Sequence, residues 1–410
     1  MSKTKQVIYI LLSFAAIIFL PLLGAYVYYE QHPPVPPPGH PPMHFPEHFF
    51  RYPMTAPINK LDFSWTIFGV IAAGGLVIIC LYLFPHWFGF KRMPTPPAPK
   101  VRKVNWPWWF WAGLIGFGSC IIMLWRGRQG GPSWFLHWSD FPLFWGLALM
   151  IDGWVYVRNG GRSMVSDRPQ ELVGIGVSSA MGWMLFEYLN FFVDYDWFYP
   201  FGDQVSNEQF LFYAIIISTG LLPLSFVFYD LFNTVPVLKK RFSEGPKFIM
   251  PGKVKTMLLL LSILSLFAAG LYPDELFFVL WISPAILIGV VLDKLGIWTP
   301  LRSIGKGNWR PTLVFALTYL AAGLCLECEN YFSAARANGV PTYSQQPAFW
   351  QYNLPYVNRF HLFEMPVLGF FGYMPFGIYC WLWWIAFAYM QGIPSMLFQE
   401  KPLDPIIVDK

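Results

Sequence analysis

Ten long apolar stretches are separated by short loops that carry most of their positive charge on every second loop, and this pattern constrains the chain more than any other feature. A helix needs about 20 mostly apolar residues to cross the hydrocarbon core of a bilayer. Only helices or closed barrels satisfy their backbone groups there. Spans are expected near 7–29, 64–84, 107–125, 141–157, 170–192, 209–233, 254–272, 275–293, 311–332 and 362–391. The first follows Lys3 and Lys5 and has no small-residue cleavage site around Leu20–Tyr26, so it is expected to stay as a helix. The last carries Pro366 and Pro375 and is long enough to tilt or kink. Lys and Arg recur at the N-terminus and in the regions Lys91–Lys103, Arg158–Arg168, Lys239–Lys255 and Lys294–Arg310. The intervening loops are poorer in both, with Arg126 and Arg128 the main exception. Positive loops face the cytoplasm. Both termini are therefore expected there, in a multi-pass inner-membrane protein.

Composition excludes the main soluble alternatives. Charged residues make up 12% of the chain, about half the usual share of a soluble domain, too few to cover a globular surface of this size. The net charge of +5 sits in loops beside apolar spans, not on one basic face, so nucleic acid is not an expected partner. The expected partners are the lipid bilayer and other subunits of a membrane complex. The five cysteines all lie in apolar segments and imply no disulfide framework. Cys325 and Cys328 form a C-x-x-C pair, read as small packing residues within a helix.

The chain also repeats a set of short patterns in order. Arg162-Ser163 then Arg168-Pro169 corresponds to Arg302-Ser303 then Arg310-Pro311. Each Arg-Pro opens a span ending in Glu-x-x-Asn: Glu187 and Asn190 in the first, Glu327 and Asn330 in the second. A Trp-x-Tyr follows each, at Trp197 to Tyr199 and Trp350 to Tyr352, and then a Gly-x-x-Pro, at Gly220 to Pro223 and Gly372 to Pro375. The expected fold is all-α: two N-terminal helices with a Pro/His-rich outer loop (1–106), two tandem four-helix units (107–253 and 254–392) and a short cytoplasmic tail (393–410). An even number of spans per unit makes the repeats parallel, related by an axis along the membrane normal.

Candidate functional residues cluster at the outer ends of these spans. Residues at i and i+3 share a helix face, so Glu187 pairs with Asn190 and Glu327 with Asn330. An ionisable group at membrane depth normally faces the bundle interior or water. Two readings follow. The acids border a ligand, with Glu187, Asn190, Asn330, Trp197, Tyr199, Trp350, Tyr352, Arg359 and His361 as binding residues. Alternatively they are capped by the Trp and Tyr of the following loop and stitch the bundle ends together. The second copy carries more acids, and Glu364, Glu327 and Glu329 are its candidate catalytic residues. Glu364 is expected one turn inside the last span, beside Arg359 and His361, meeting Glu327, Asn330 or the Trp350–Tyr352 loop. Asp152, deeper in the fourth expected span, reads equally as a proton relay or a hydrogen-bonded structural group.

The outer loop after the first span holds four histidines among prolines, with Met43 and Met54 nearby. Imidazole and thioether together suit copper, with His40, His44 and His48 as the ligands. An extended proline-rich stretch is equally a stiff polar linker. No Gly-rich phosphate loop precedes a helix. No histidine pair inside the spans suits bis-imidazole haem, no Ser-His-Asp arrangement is present, and no ring of charge marks an ion pore.

A Glu near a helix end, then Trp-x-Tyr, then Phe363-Glu364-Met365-Pro366 resembles the membrane lycopene cyclases of carotenoid synthesis. Those enzymes place acidic residues beside a proline at a helix end, and an acid protonates the polyene. The resemblance implies a carotenoid-type ligand and a glutamate as general acid. In this chain Glu364 precedes Pro366, where the family has Pro-x-Glu-Glu. Two four-helix units plus two helices are also similar in architecture to quinol-interacting membrane subunits of bacterial redox complexes, and that resemblance implies a quinone. Three functions are carried forward: a protein that binds a quinone or isoprenoid near the outer leaflet, an enzyme acting on such a lipid, and a transporter working between the two repeats.

Overall fold

A computed structural model describes residues 1–32, 45–46, 49–50, 52–57, 62–97, 100–127 and 133–398. The chain is mostly helical. Among the described residues, eight helices are long and apolar enough to cross a membrane. The long helices are α1 (Lys3–Gln31), α2 (Trp65–Leu83), α3 (Trp108–Gly127), α4 (Asp140–Arg158), α5 (Pro169–Asn190), α6 (Asn207–Ser218), α7 (Leu221–Asn233), α8 (Gly252–Leu271), α9 (Val279–Lys294), α10 (Arg310–Ser333) and α11 (Tyr373–Gln391). Helices thus form at all ten expected places. The α6 and α7 helices share one of them, and α9, with 16 residues, is shorter than a typical span.

The α6–α7 break follows from local chemistry. Pro223 cannot donate a backbone hydrogen bond, and its ring excludes the preceding turn's carbonyl. Ser179 of α5 fills the gap: its hydroxyl donates to Ser218 O at 2.5 Å and accepts from Leu222 N at 3.0 Å. The Trp145 indole donates to Thr219 Oγ1 at 2.9 Å beside it. A Cβ on Gly220 would lie 2.8 Å from Phe144 Cβ, so the break packs closely on α4.

The last expected span is corrected at its start. Residues 361–366 form a hairpin of β5 (His361–Leu362) and β6 (Met365–Pro366), followed by a 3-10 turn at Gly369–Gly372, and the helix begins only at Tyr373. Phe360 and Phe363 take positive φ, at 54° and 60°, which no helix accommodates. The other strands are β1 (Trp197–Phe198), β2 (Ala334–Ala337), β3 (Val340–Ser344) and β4 (Gln351–Tyr352), paired β1 with β4 and β2 with β3.

The α11 helix is the centre of the bundle. Trp381, Leu382, Trp384 and Ile385 are almost wholly buried, and α5, α9 and α10 pack around it. The α2 helix lies at the periphery, where only Gly75 is buried. Helices in lipid gain little from burial and associate through close packing. The crossing of α1 with α8 shows how. A Cβ on Gly24 would lie 2.1 Å from Phe267 O, and one on Gly270 would lie 2.2 Å from Pro21 O. Only glycine lets these backbones touch.

At the end where α5 and α10 begin, charged groups are paired. Arg168 donates to Glu171 at 3.2 Å and to Asp230 at 2.5 Å, both buried. Arg310 donates to Leu238 O at 2.9 Å and to Asn233 Oδ1, tying α10 to the end of α7. Asp152 accepts from Ser163 Oγ, Met164 N, Val165 N and Trp109 Nε1 at 2.7–3.1 Å. With four donors on its two oxygens it anchors the turn between α4 and α5, the structural reading of this residue. The five cysteines are free thiols.

Candidate functional site

The two Glu-x-x-Asn turns lie at the C-terminal ends of α5 and α10 and are dressed alike. In the first, Trp197 Nε1 donates to Glu187 Oε1 at 3.1 Å, and the Tyr199 hydroxyl donates to the same oxygen. In the second, Trp350 Nε1 and the Tyr352 hydroxyl donate to Glu327 Oε1 at 3.3 and 2.6 Å. Asn190 Nδ2 donates to Trp197 O, and Asn330 Nδ2 to Trp350 O, each at 2.8 Å. The Trp-x-Tyr loops then pair with each other as β1 and β4, antiparallel, with Trp197 opposite Tyr352 and Phe198 opposite Gln351. This register is symmetric about the Phe198–Gln351 pair. Indole and phenol of each loop therefore cap the glutamate of their own turn, while the loops hold the two turns side by side. Burial, then the facing glutamate, pushes the phenols of Tyr199 and Tyr352 well above their ordinary range, so both remain donors.

The copies differ in what else reaches the carboxyl group. The Tyr373 hydroxyl donates to Glu327 Oε1 at 2.6 Å as a third donor. On the first turn, Met54, between α1 and α2, holds the cap rather than the carboxyl group: its carbonyl accepts from Tyr199 N at 2.6 Å and its sulfur from Asn190 Nδ2 at 3.5 Å. Met54 is 1% exposed and packs in an apolar cluster. His40, His44 and His48 lie outside the described residues. Among the described residues no group of histidines, cysteines and acids is placed to hold a metal.

Beneath the paired loops lies a cavity of about 370 Å³. Its walls are aromatic and aliphatic, with Phe186, Phe210, Ile217, Leu326 and Phe376 among them. Glu187, Asp196, Trp197, Tyr199, Tyr352 and Tyr373 are among its polar lining residues. Glu187 stands on the wall and Glu327 behind Tyr352 and Tyr373. In both, Oε2 is buried without a hydrogen-bond partner. Asp196 and Trp281, joined at 3.0 Å, border the same space. A chamber of this kind can accommodate an apolar body.

The remaining candidates stand apart from the cavity. Glu364 forms an ion pair with Arg336 and accepts from Gln351 Nε2 at 3.0 Å. The expected contact with the Trp350–Tyr352 loop is therefore made, through Gln351. Of the expected neighbours, Arg359 lies over the Phe63 ring at 4.4 Å, and His361 pairs with Asn358 at 3.1 Å while standing within electrostatic reach of Glu364. Glu329 faces away, within electrostatic reach of Asp140. Sequence reasoning missed Arg336, Tyr373, Asp196, Trp183 and Trp281. Only Asp196 carried a signal, as an acid in a loop with no basic residue.

Comparison with protein-family models, curated proteins and solved structures gave no match.

Proposed function

We propose that this chain is a multi-pass inner-membrane protein that binds a lipophilic ligand of quinone or isoprenoid type in the aromatic cavity near the extracytoplasmic face, as a subunit of a larger membrane complex. The observation that carries the reading is the cavity itself: about 370 Å³ of largely apolar space bordered by Glu187 and the Trp-x-Tyr loops. The reading includes ten spans, cytoplasmic termini and two parallel four-helix units behind two added helices. What supports the repeat is the matching set of hydrogen bonds at Glu187 and Glu327 and the symmetric pairing of the loops that make them.

The test is what the protein carries out of the membrane. Purified in mild detergent and extracted, it is expected to yield a near-stoichiometric quinone or isoprenoid by mass spectrometry. Ile217 lines the chamber, and Ile217→Trp fills part of it, so this variant should emerge largely empty while keeping its elution profile. An extract with no enriched lipophile, or one that Ile217→Trp leaves unchanged, defeats the reading.

A second reading is an enzyme of isoprenoid or carotenoid modification with a glutamate as general acid. The place of Glu187 on the cavity wall favours it. Turnover of an added polyene or prenyl substrate by the wild type, lost in Glu187→Gln, distinguishes it from binding alone.

A further inference from the structure

The wall of the chamber is not closed all round, and where it opens bears on what enters. This step rests on the cavity-binding reading above. Among the described lining residues, four are exposed on the outside of the protein: Phe278, Ile282, Gly372 and Pro375. Phe278 caps the start of α9, and Ile282 lies four residues on, so the two share a face. They are 47% and 41% exposed. Gly372 and Pro375 stand three residues apart where α11 begins. The two pairs frame one opening, because their chain neighbours Trp281 and Phe376 are in ring contact, with centroids 6.1 Å apart. No charged or hydrogen-bonding side chain belongs to the four.

The opening faces α2. Ile71 of α2 lines the chamber. One turn further along, a Cβ on Gly75 would lie 2.5 Å from the Phe371 ring, so α2 packs directly on the residue before Gly372. Gly75 is midway along α2 and is its one buried residue. The middle of a helix that crosses the bilayer lies in hydrocarbon. The window therefore stands beside lipid chains, not at an aqueous end of the bundle. Its apolar frame suits a hydrocarbon chain and offers a hydrated solute nothing in return for its lost water.

We propose that the chamber exchanges its ligand sideways with the bilayer through this window, and that the ligand is a membrane lipid whose head lies in the chamber while its chain runs out between α9 and α11, past α2. Chain carbons beyond the window stay in lipid before and after binding. They add nothing to affinity and are not limited by the volume of the chamber.

The test uses the full chain in nanodiscs and radiolabelled probes of two lengths: benzoquinones with prenyl chains of two and eight isoprene units, and the prenyl alcohols of the same lengths. For a head that binds saturably, the two lengths should bind within about threefold of each other, per mole of lipid. Binding of the short probe with rejection of the long one overturns the window and leaves the cavity reading intact. Absence of saturable binding by all four probes overturns the cavity reading and this inference with it. Gly372 has a helical φ of −65°, and a Cβ there meets nothing within 4 Å, so Gly372→Trp adds a ring at the frame without a clash. This variant should weaken the long probe at least about tenfold and the short one less than about threefold. The control is Gly69→Trp. Gly69 is exposed, its Cβ site is equally open, and it lies two residues from Ile71, on the opposite side of α2. It should bind both lengths as wild type does. Elution profile reports folding, and Ile282→Trp tests the other side of the frame if Gly372→Trp does not fold. A folded frame variant that binds the long probe normally, that weakens both lengths equally, or that Gly69→Trp matches, overturns the proposal.

Discussion

At the scale of single residues, Glu364 is the clearest case of a charge whose surroundings fix its role. It is 6% exposed and ion-paired with Arg336, whose guanidinium also lies 3.7 Å over the Tyr331 ring. Gln351 Nε2 holds the other carboxylate oxygen. The clasp joins the β2–β3 hairpin, the β4 strand and the β5–β6 hairpin, and Met365 beside it lines the cavity. Removing one member of a buried pair leaves the other charge uncompensated, at a cost on the order of 3 kcal/mol. Glu364→Leu should lose about that much in detergent unfolding titrations. Glu364→Gln should lose about 1–2 kcal/mol, because its amide retains hydrogen bonding. Arg336→Met combined with Glu364→Leu should recover most of the loss. Equal stability of Glu364→Leu and wild type removes the clasp. The sequence pointed to Glu364 as an isolated acid at a span entrance, because its partner lies 28 residues away on a hairpin that no local pattern announces. It pointed to the Trp and Tyr donors of Glu187 and Glu327, because these follow within the same short motif, and missed Tyr373, which reaches Glu327 from α11.

At the scale of elements, backbone contact sets the packing of helices in lipid. The α1–α8 crossing places Gly24 and Gly270 where any Cβ would strike the opposite backbone. Gly24→Val must push α1 away along its length, at a cost of about 3 kcal/mol or more. The expected result is early, non-cooperative loss of α1, read as protease access to the Lys3–Gln31 segment in detergent. A variant as resistant as wild type argues against this crossing. Long helices were legible because an apolar run of this length has one stable form in hydrocarbon. The α6–α7 break was half legible: Gly220 and Pro223 marked it, but Ser179, which bridges it, lies on another helix. The two-residue strands were not legible, since so short a segment carries no periodicity. The final span was therefore begun too early, and β5 and β6 were counted within it.

At the scale of the whole molecule, two signals written in different residues agree on one polarity. The Lys- and Arg-rich loops lie where α5 and α10 begin, and the capped glutamates lie where those helices end. Positive loops are retained in the cytoplasm, so the cavity should open toward the outer leaflet. Exposed positions suited to labelling are Asn207 and Thr342 at the cavity end and Lys247 at the other. With a membrane-impermeant maleimide on intact cells, Asn207→Cys and Thr342→Cys should label, and Lys247→Cys should label only after permeabilisation. The wild type gives the background from the native cysteines, all of which sit in helices. Labelling of Lys247→Cys alone on intact cells would invert the protein and place the cavity in the inner leaflet. Labelling of Lys247→Cys as well as Asn207→Cys on intact cells would mean that the α6–α7 segment between them does not cross. Failure of the α9 helix, shorter than a typical span, would instead leave Thr342→Cys unlabelled beside a labelled Asn207→Cys. An accessible Thr342→Cys together with an accessible Asn207→Cys is the stronger result. These positions lie in different halves of the chain, and an odd number of crossings between them would put them on opposite faces.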